Sequence, residues 1–338
     1  MANTAQQPKR PLPCRGVYGS ATLLAALLLA GCGGGSGSGG GTALKVDGAV
    51  DRPASYALGD LALVPPVAQA VSFSSGSAAP VPHVYAGPPL WTVLNGSGVQ
   101  LDATKKNDIL NRYVLATGAD GYKVVFALGE LSPDFGNKPS IVATGEVVAN
   151  VPGPLNATDG PLRVTAPGDV KGGRYVSMLN HLTVRTSAST AAGIGGVVSP
   201  SFAVSGAVLR PQTFTLAALQ ALPATTQAIA GTSYTGVSLF TLLNSVTGLA
   251  VDATAKNPSL AMYAVATGSD GYKAMVSLGE IDPGFGNRGA LIAYQTAGAG
   301  LGPNGVARLV VDGDVKQGRS VSNLVAIEVF AAAAAPAP

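Results

Sequence analysis

The chain has 338 residues, long enough for two ordinary domains. Apolar residues make up 47% and supply a core, while charged residues are only 12%, about half the usual ~25%. This balance excludes a wholly disordered chain. With 45 glycines and 24 prolines it also argues against a helical bundle or coiled coil and for a turn-rich β or α+β protein.

Residues 1–31 read as an export signal. Lys9, Arg10 and Arg15 form a positive opening without an acid, and Val17 to Ala30 follows as an apolar stretch. That stretch is too short to span a membrane as a helix, which takes ~20 apolar residues. It ends in Leu29-Ala30-Gly31-Cys32, which resembles a bacterial lipobox and predicts cleavage before Cys32 and lipidation of that cysteine. Residues 32–42 are then a flexible Gly/Ser tether. Gly33 stands where inner-membrane retention usually shows Asp. The expected location is therefore the periplasmic face of the outer membrane, or the cell surface, of a Gram-negative bacterium.

Processing would change the chemistry. Three of the 21 basic residues leave with the signal, so 18 face 18 acidic ones and the mature charge is zero. A phosphate-tracking surface needs a basic excess, so nucleic acid is not an expected partner. Cys14 leaves and Cys32 is acylated. The mature body then offers no thiol for a disulfide, a nucleophile or a metal.

The body repeats itself. Tyr113-Val-Leu-Ala-Thr-Gly-Ala-Asp-Gly-Tyr-Lys123 matches Tyr263-Ala-Val-Ala-Thr-Gly-Ser-Asp-Gly-Tyr-Lys273 at eight of eleven positions, 150 residues on. The same register pairs Gly129-Glu130 with Gly279-Glu280 and Phe135-Gly136-Asn137 with Phe285-Gly286-Asn287. Tyr85-x-Gly-x-x-Leu-Trp91 pairs with Tyr234-x-Gly-x-x-Leu-Phe240, and Gly168-Asp-Val-Lys171 with Gly313-Asp-Val-Lys316. The expected layout is copy one at 43–187, a small-residue linker at 188–201, copy two at 202–330, and a low-complexity tail at 331–338.

Taken in order, Leu44 to Val50 alternates as a strand ending before Pro53. Gly87 to Gly96 reads as a short helix with proline in its first turn and Leu90, Trp91 and Leu94 on one face; Leu239, Phe240 and Leu243 repeat that face. Arg112 to Thr117 and Lys123 to Leu128 are strands around Asp120-Gly121, expected as a two-residue hairpin turn. Glu130 opens a helical turn. Arg163 to Ala166 and Val176 to Val184 are further strands. The fold class expected is α+β: two tandem copies of one domain, mostly strands with short helices.

Candidate chemistry is sparse. Asp120 and Asp270 before glycine are turn residues, and Glu130 and Glu280 suit a first helical turn, so no catalytic pair is assigned. His83 and His181 have no counterpart in the other copy and make no metal site. No Gly-x-Ser-x-Gly elbow occurs near the serines at 74, 75 and 77. The basic residues of each last third are the candidates for an anion or cofactor: Arg163, Lys171 and Arg174, and Arg308, Lys316 and Arg319. Glycine beside arginine lets the backbone approach an anion, and arginine grips phosphate bidentately; the plain alternative is a solvated turn with arginine paired to the neighbouring Asp.

These motifs, from Tyr-x-Gly-x-x-Leu-Trp/Phe through Thr-Gly-x-Asp-Gly-Tyr-Lys and Gly-Glu to Gly-Asp-Val-Lys-x-Gly-Arg-x-Val, resemble the sulfite-oxidase-type molybdopterin-binding domain. The resemblance implies a mixed α+β domain and, in active members, molybdenum held by a pterin dithiolene and one cysteine. Val71-Ser-Phe-Ser74-Ser-Gly76 lies about where the family supplies that cysteine, and serine stands there instead. Ser177 and Ser322 replace the lysine that helps hold the pterin phosphate. The expectation is therefore a lipid-anchored, non-catalytic binding or structural module with no cofactor, its ligand or protein partner unassigned. The alternative is a molybdenum-cofactor oxidoreductase. A surface adhesin for glycans or proteins is a third reading, without a specific motif.

Overall fold

A computed structural model describes residues 43–332; the expected signal, the Cys32 lipid site, the tether and residues 333–338 lie outside it. Two five-stranded sheets are built to one order. In the first, Ala54–Tyr56, Leu44–Gly48, Leu179–Thr186, Arg112–Gly118 and Lys123–Ala127 lie side by side. In the second the order is Gln212–Thr215, Ser201–Gly206, Leu324–Ala331, Met262–Gly268 and Lys273–Ser277. Each sheet has one parallel pair, Leu44–Gly48 with Leu179–Thr186 and Ser201–Gly206 with Leu324–Ala331; the rest are antiparallel. A further sheet accompanies each, four-stranded around Val81–Gly87 in the first half and five-stranded around Thr232–Ser238 in the second. The fold is α+β.

The helix in the first half runs Leu90–Gly96 and buries Leu90, Val93 and Leu94, with Trp91 partly buried against the same core. The glycine before it is required by sterics. A Cβ on Gly87 would lie 2.0 Å from the Val142 carbonyl oxygen, and one on Gly236 would lie 2.2 Å from that of Ile292.

Two expectations need correction. The Asp120-Gly121 hairpin has a three-residue loop, because the Gly118 amide donates to the Tyr122 carbonyl and the Gly121 amide to the Gly118 carbonyl, which leaves 119–121 as the loop. Gly121 takes φ +82° and Asp120 Oδ1 accepts the Tyr122 amide at 2.9 Å. This is the turn-plus-bulge solution, in which glycine supplies the left-handed residue. The second hairpin does the same with Gly271 at φ +83°. The strand expected from Val176 starts instead at Leu179, because Met178 sits at φ +50° and breaks the extended run.

The two halves pack together. Tyr113, Leu115, Val125 and Ala127 of the first sheet form one buried cluster with Tyr263, Val265 and Met275 of the second. The repeated hairpin tyrosines fasten this junction. Tyr122 donates to the Gly173 carbonyl at 2.6 Å and accepts from Asn257 across the junction; Tyr272 donates to Gly318 at 2.7 Å and accepts from Asn107. Residues 188–201 carry almost no regular structure but are tied to the second half, with the Ile194 and Gly196 amides both donating to the Ser269 carbonyl.

Candidate functional site

The last-third arginines come to rest in carboxylate cages. Arg174 ends a single helical turn, Gly172–Arg174, and is wholly buried. Its Nε and Nη2 donate to Asp169 at 2.7 and 2.8 Å, and its Nη1 to Glu130 at 2.7 Å. Arg319 is its counterpart, donating to Asp314 through Nε at 2.9 Å and to both Glu280 oxygens at 2.7 and 2.9 Å. A further cation joins each cage: Lys138 Nζ lies 2.9 Å from Asp169, and Arg288 Nη2 lies 3.1 Å from Asp314. Four cations thus meet four carboxylates at the junction of the halves.

The repeated Gly-Glu pair serves both cages. The glutamate holds the arginine of its own half, and the glycine receives the arginine stem of the other. A Cβ on Gly279 would lie 2.6 Å from Arg174 Cδ, and one on Gly129 would lie 2.8 Å from Arg319 Cδ. Ser277 Oγ also donates to Glu130 across the junction at 3.2 Å. Burial lifts the Glu130 carboxyl above the ordinary carboxylate range; Arg174 pulls it back and nearby Glu280 adds to the lift. Burial alone would lower both guanidiniums. Glu130 and Asp169 outweigh it at Arg174, and Glu280 and Asp314 at Arg319, so both are held above their usual value.

The other four basic candidates do not converge on these cages. Arg163 pairs with Asp159 at 2.6 Å, donates to the Tyr85 hydroxyl at 2.9 Å, and lies over the rings of Phe73, Tyr85 and Tyr175 at 5.4–5.5 Å. Its Nε is buried without a hydrogen-bond partner among the described residues. Arg308 lies over the Tyr234 ring at 5.8 Å and also leaves its Nε unpartnered. Lys171 is exposed, and Lys316 pairs with exposed Asp134. Ser74 is held through its backbone, its amide on the Val170 carbonyl and its own carbonyl accepting from Gly172. Next to it Phe73, His83, Tyr85 and Tyr175 stack into an aromatic wall, with His83 Nδ1 2.7 Å from Glu146. His181 pairs with Asp47 at 2.8 Å instead.

The aromatic wall and the cages are what sequence reasoning missed. The repeated Gly-Glu was a usable signal for the cages. The wall had none, because only Tyr85 recurs in the second half, as Tyr234. A molybdenum pterin does not fit these residues. Neither cysteine falls within 43–332, and the arginines of both Lys-x-Gly-Arg segments have all three nitrogens committed to carboxylates. Among the described residues, no group of three or more His, Cys, Asp or Glu is placed to hold a metal ion. Nor is any helix among them long and apolar enough to cross a membrane.

The fold and its junction define an α+β protein of two like-ordered sheets joined by a buried ionic network. Among solved structures it is similar to the sulfane dehydrogenase SoxCD from Paracoccus pantotrophus, at 14% identity and a TM-score of 0.34. That match covers 69% of this chain and 58% of the other, so the chain spans less than two thirds of it. No family model and no curated protein matches the chain.

Proposed function

We propose that this protein is an exported lipoprotein, anchored through Cys32, whose body is a tandem duplication of a sulfite-oxidase-like domain acting as a non-catalytic binding or structural module. The duplication is supported by the 150-residue sequence register and by the same strand order in both main sheets. One observation carries the non-catalytic reading: Arg174 and Arg319 are wholly buried and saturated by carboxylates of the chain itself. A cofactor phosphate at either arginine would have to displace an Asp or Glu that already pairs with it, and the freed carboxylate would be left charged and buried. Arginines that could hold phosphate in the parent fold instead hold the two halves together.

The test is elemental analysis with a pterin fluorescence assay on protein made in a cofactor-competent, molybdenum-replete host. Molybdenum far below one per chain is expected. Near one per chain would put the molybdenum oxidoreductase first. The anchor is tested separately. Cys32→Ser should move the protein from the membrane to the soluble fraction or block its processing, and should abolish palmitate labelling. Equal labelling of this variant and the parent would rule out the lipid at Cys32.

A further inference from the structure

The sharpest difference between the halves lies beside the caged arginines. In the first half, Phe73 packs on Gly172, where a Cβ would meet its ring at 2.8 Å, and stacks on Tyr175 with ring centroids 4.1 Å apart. In the second half the positions of Gly172 and Tyr175 hold Gln317 and Ser320. Where the first half is plugged by aromatics, the second has a cleft of about 400 Å³. That volume falls within the ~300–1,000 Å³ typical of small-molecule sites.

The cleft carries free hydrogen-bonding groups. Ser177 in the first half spends its hydroxyl on Asp159 at 2.9 Å, whereas its counterpart Ser322 lines the cleft with its hydroxyl uncommitted. Gln317 accepts from Ser320 through Oε1 and leaves its amide nitrogen free. Asp270 uses Oδ1 on the Tyr272 amide and leaves Oδ2 free. Lys106 reaches the cleft from the first half without an ion-pair partner among the described residues, while its counterpart Lys256 lies over the Tyr122 ring at 5.9 Å. Lys106 and Asp270 are the charged side chains of the lining, and their charges cancel.

We infer that this cleft is a binding site for a neutral, polyhydroxylated ligand, a saccharide. The inference rests on the binding-module reading above. A phosphate or sulfate would need convergent cations, and Arg319, between the lining residues Gly318 and Ser320, is already saturated. An apolar ligand would leave the serine, glutamine and aspartate groups unpaired. Sugar hydroxyls both donate and accept, which matches a free hydroxyl, an amide donor, an ammonium and a carboxylate oxygen around one space.

The probes are cellobiose, N,N′-diacetylchitobiose and inorganic phosphate, tested on the mature full chain by saturation-transfer NMR and titration calorimetry. At least one disaccharide is expected to bind and phosphate is not. Ser320→Tyr, which restores the first half's plug, should weaken binding at least tenfold. So should Gln317→Ala combined with Ser322→Ala, which leaves the cleft open but removes two partners. Ser177→Ala should bind like the parent, and circular dichroism would confirm that every variant is folded. The site is overturned if neither disaccharide binds, if binding survives Ser320→Tyr and the double variant, or if phosphate binds and is lost in those variants. Metal-free protein that ignores both sugars would overturn this site and leave the module reading standing. Stoichiometric molybdenum would overturn the module reading whatever the sugars do.

Discussion

Arg174→Leu is expected to cost about 3–5 kcal/mol of folding stability, the range found when one partner of a buried ion pair is removed. The loss comes from what remains. Asp169 loses both its donated hydrogen bonds from Arg174 and keeps Lys138; Glu130 loses its closest cation while still near Glu280. The pH dependence has a definite sign. Without the guanidinium, Glu130 loses the charge that pulls its carboxyl back against burial and Glu280, so it titrates higher in the folded protein than in the unfolded chain. The folded variant therefore takes up protons as the medium is acidified. Its deficit against the parent is largest near about pH 8 and shrinks toward about pH 5. Glu130→Gln in the same background should return part of the loss, because it removes one of the stranded charges. Denaturant unfolding at the two pH values checks all three expectations. A loss under about 1 kcal/mol, the level of a surface pair, would show that the cage does not hold the junction.

The cage also shows what could and could not be read from the chain. The repeat was visible as letters, and it located the hairpins, the short helix before the domain's middle and the Gly-Glu turn. Those are local features, set by turn chemistry, proline position and a three- to four-residue apolar period. What the repeated letters were for was not visible. Gly129 and Gly279 look like ordinary helical-turn glycines until an arginine 190 or 105 residues away in sequence lies on them. Arg174 next to a Gly-Asp turn reads as a solvated pair, and half of that reading is correct, since Asp169 is its partner. Its complete burial follows from the second half closing over it, which no local pattern encodes. The hairpin loop was misjudged by one residue because Asp-Gly serves both two- and three-residue loops, and the Gly118 to Tyr122 bond decides between them.

The differences between the two halves are as informative as their matches. Several positions facing the junction stay paired: tyrosine with tyrosine at 122 and 272, phenylalanine with phenylalanine at 135 and 285, glutamate with glutamate at 130 and 280. Positions facing away drift. Tyr175 becomes Ser320 and Gly172 becomes Gln317, and one half fills with aromatics where the other opens. A junction built from both halves constrains each residue through a partner in the other half, whereas the side chains of Gln317 and Ser320 hydrogen-bond each other and their own half.

Gly318→Val is expected to show that constraint directly. A Cβ there would sit 2.3 Å from Phe135 Cε1 and 3.2 Å from Leu110 Cδ1, across the junction. Neither neighbour is free to leave. Phe135 is 6% exposed, and its carbonyl is held by the Val315 amide at 2.8 Å. Overpacking of this kind costs about 1–3 kcal/mol, and more where the surroundings are fixed at both ends. Phe135→Ala alone should cost about 3–5 kcal/mol by leaving a hole in the same place. Together the two changes should not add. The valine would occupy part of the space the phenyl ring vacates, so the double variant should fall short of the sum by about 0.5–3 kcal/mol. The mirror pair, Gly173→Val with Phe285→Ala, should behave alike, because a Cβ on Gly173 also lies 2.3 Å from its phenylalanine. Additive losses in both cycles would mean that the rings do not seat on these glycines and that the halves are joined by the arginine cages and the tyrosine bonds alone.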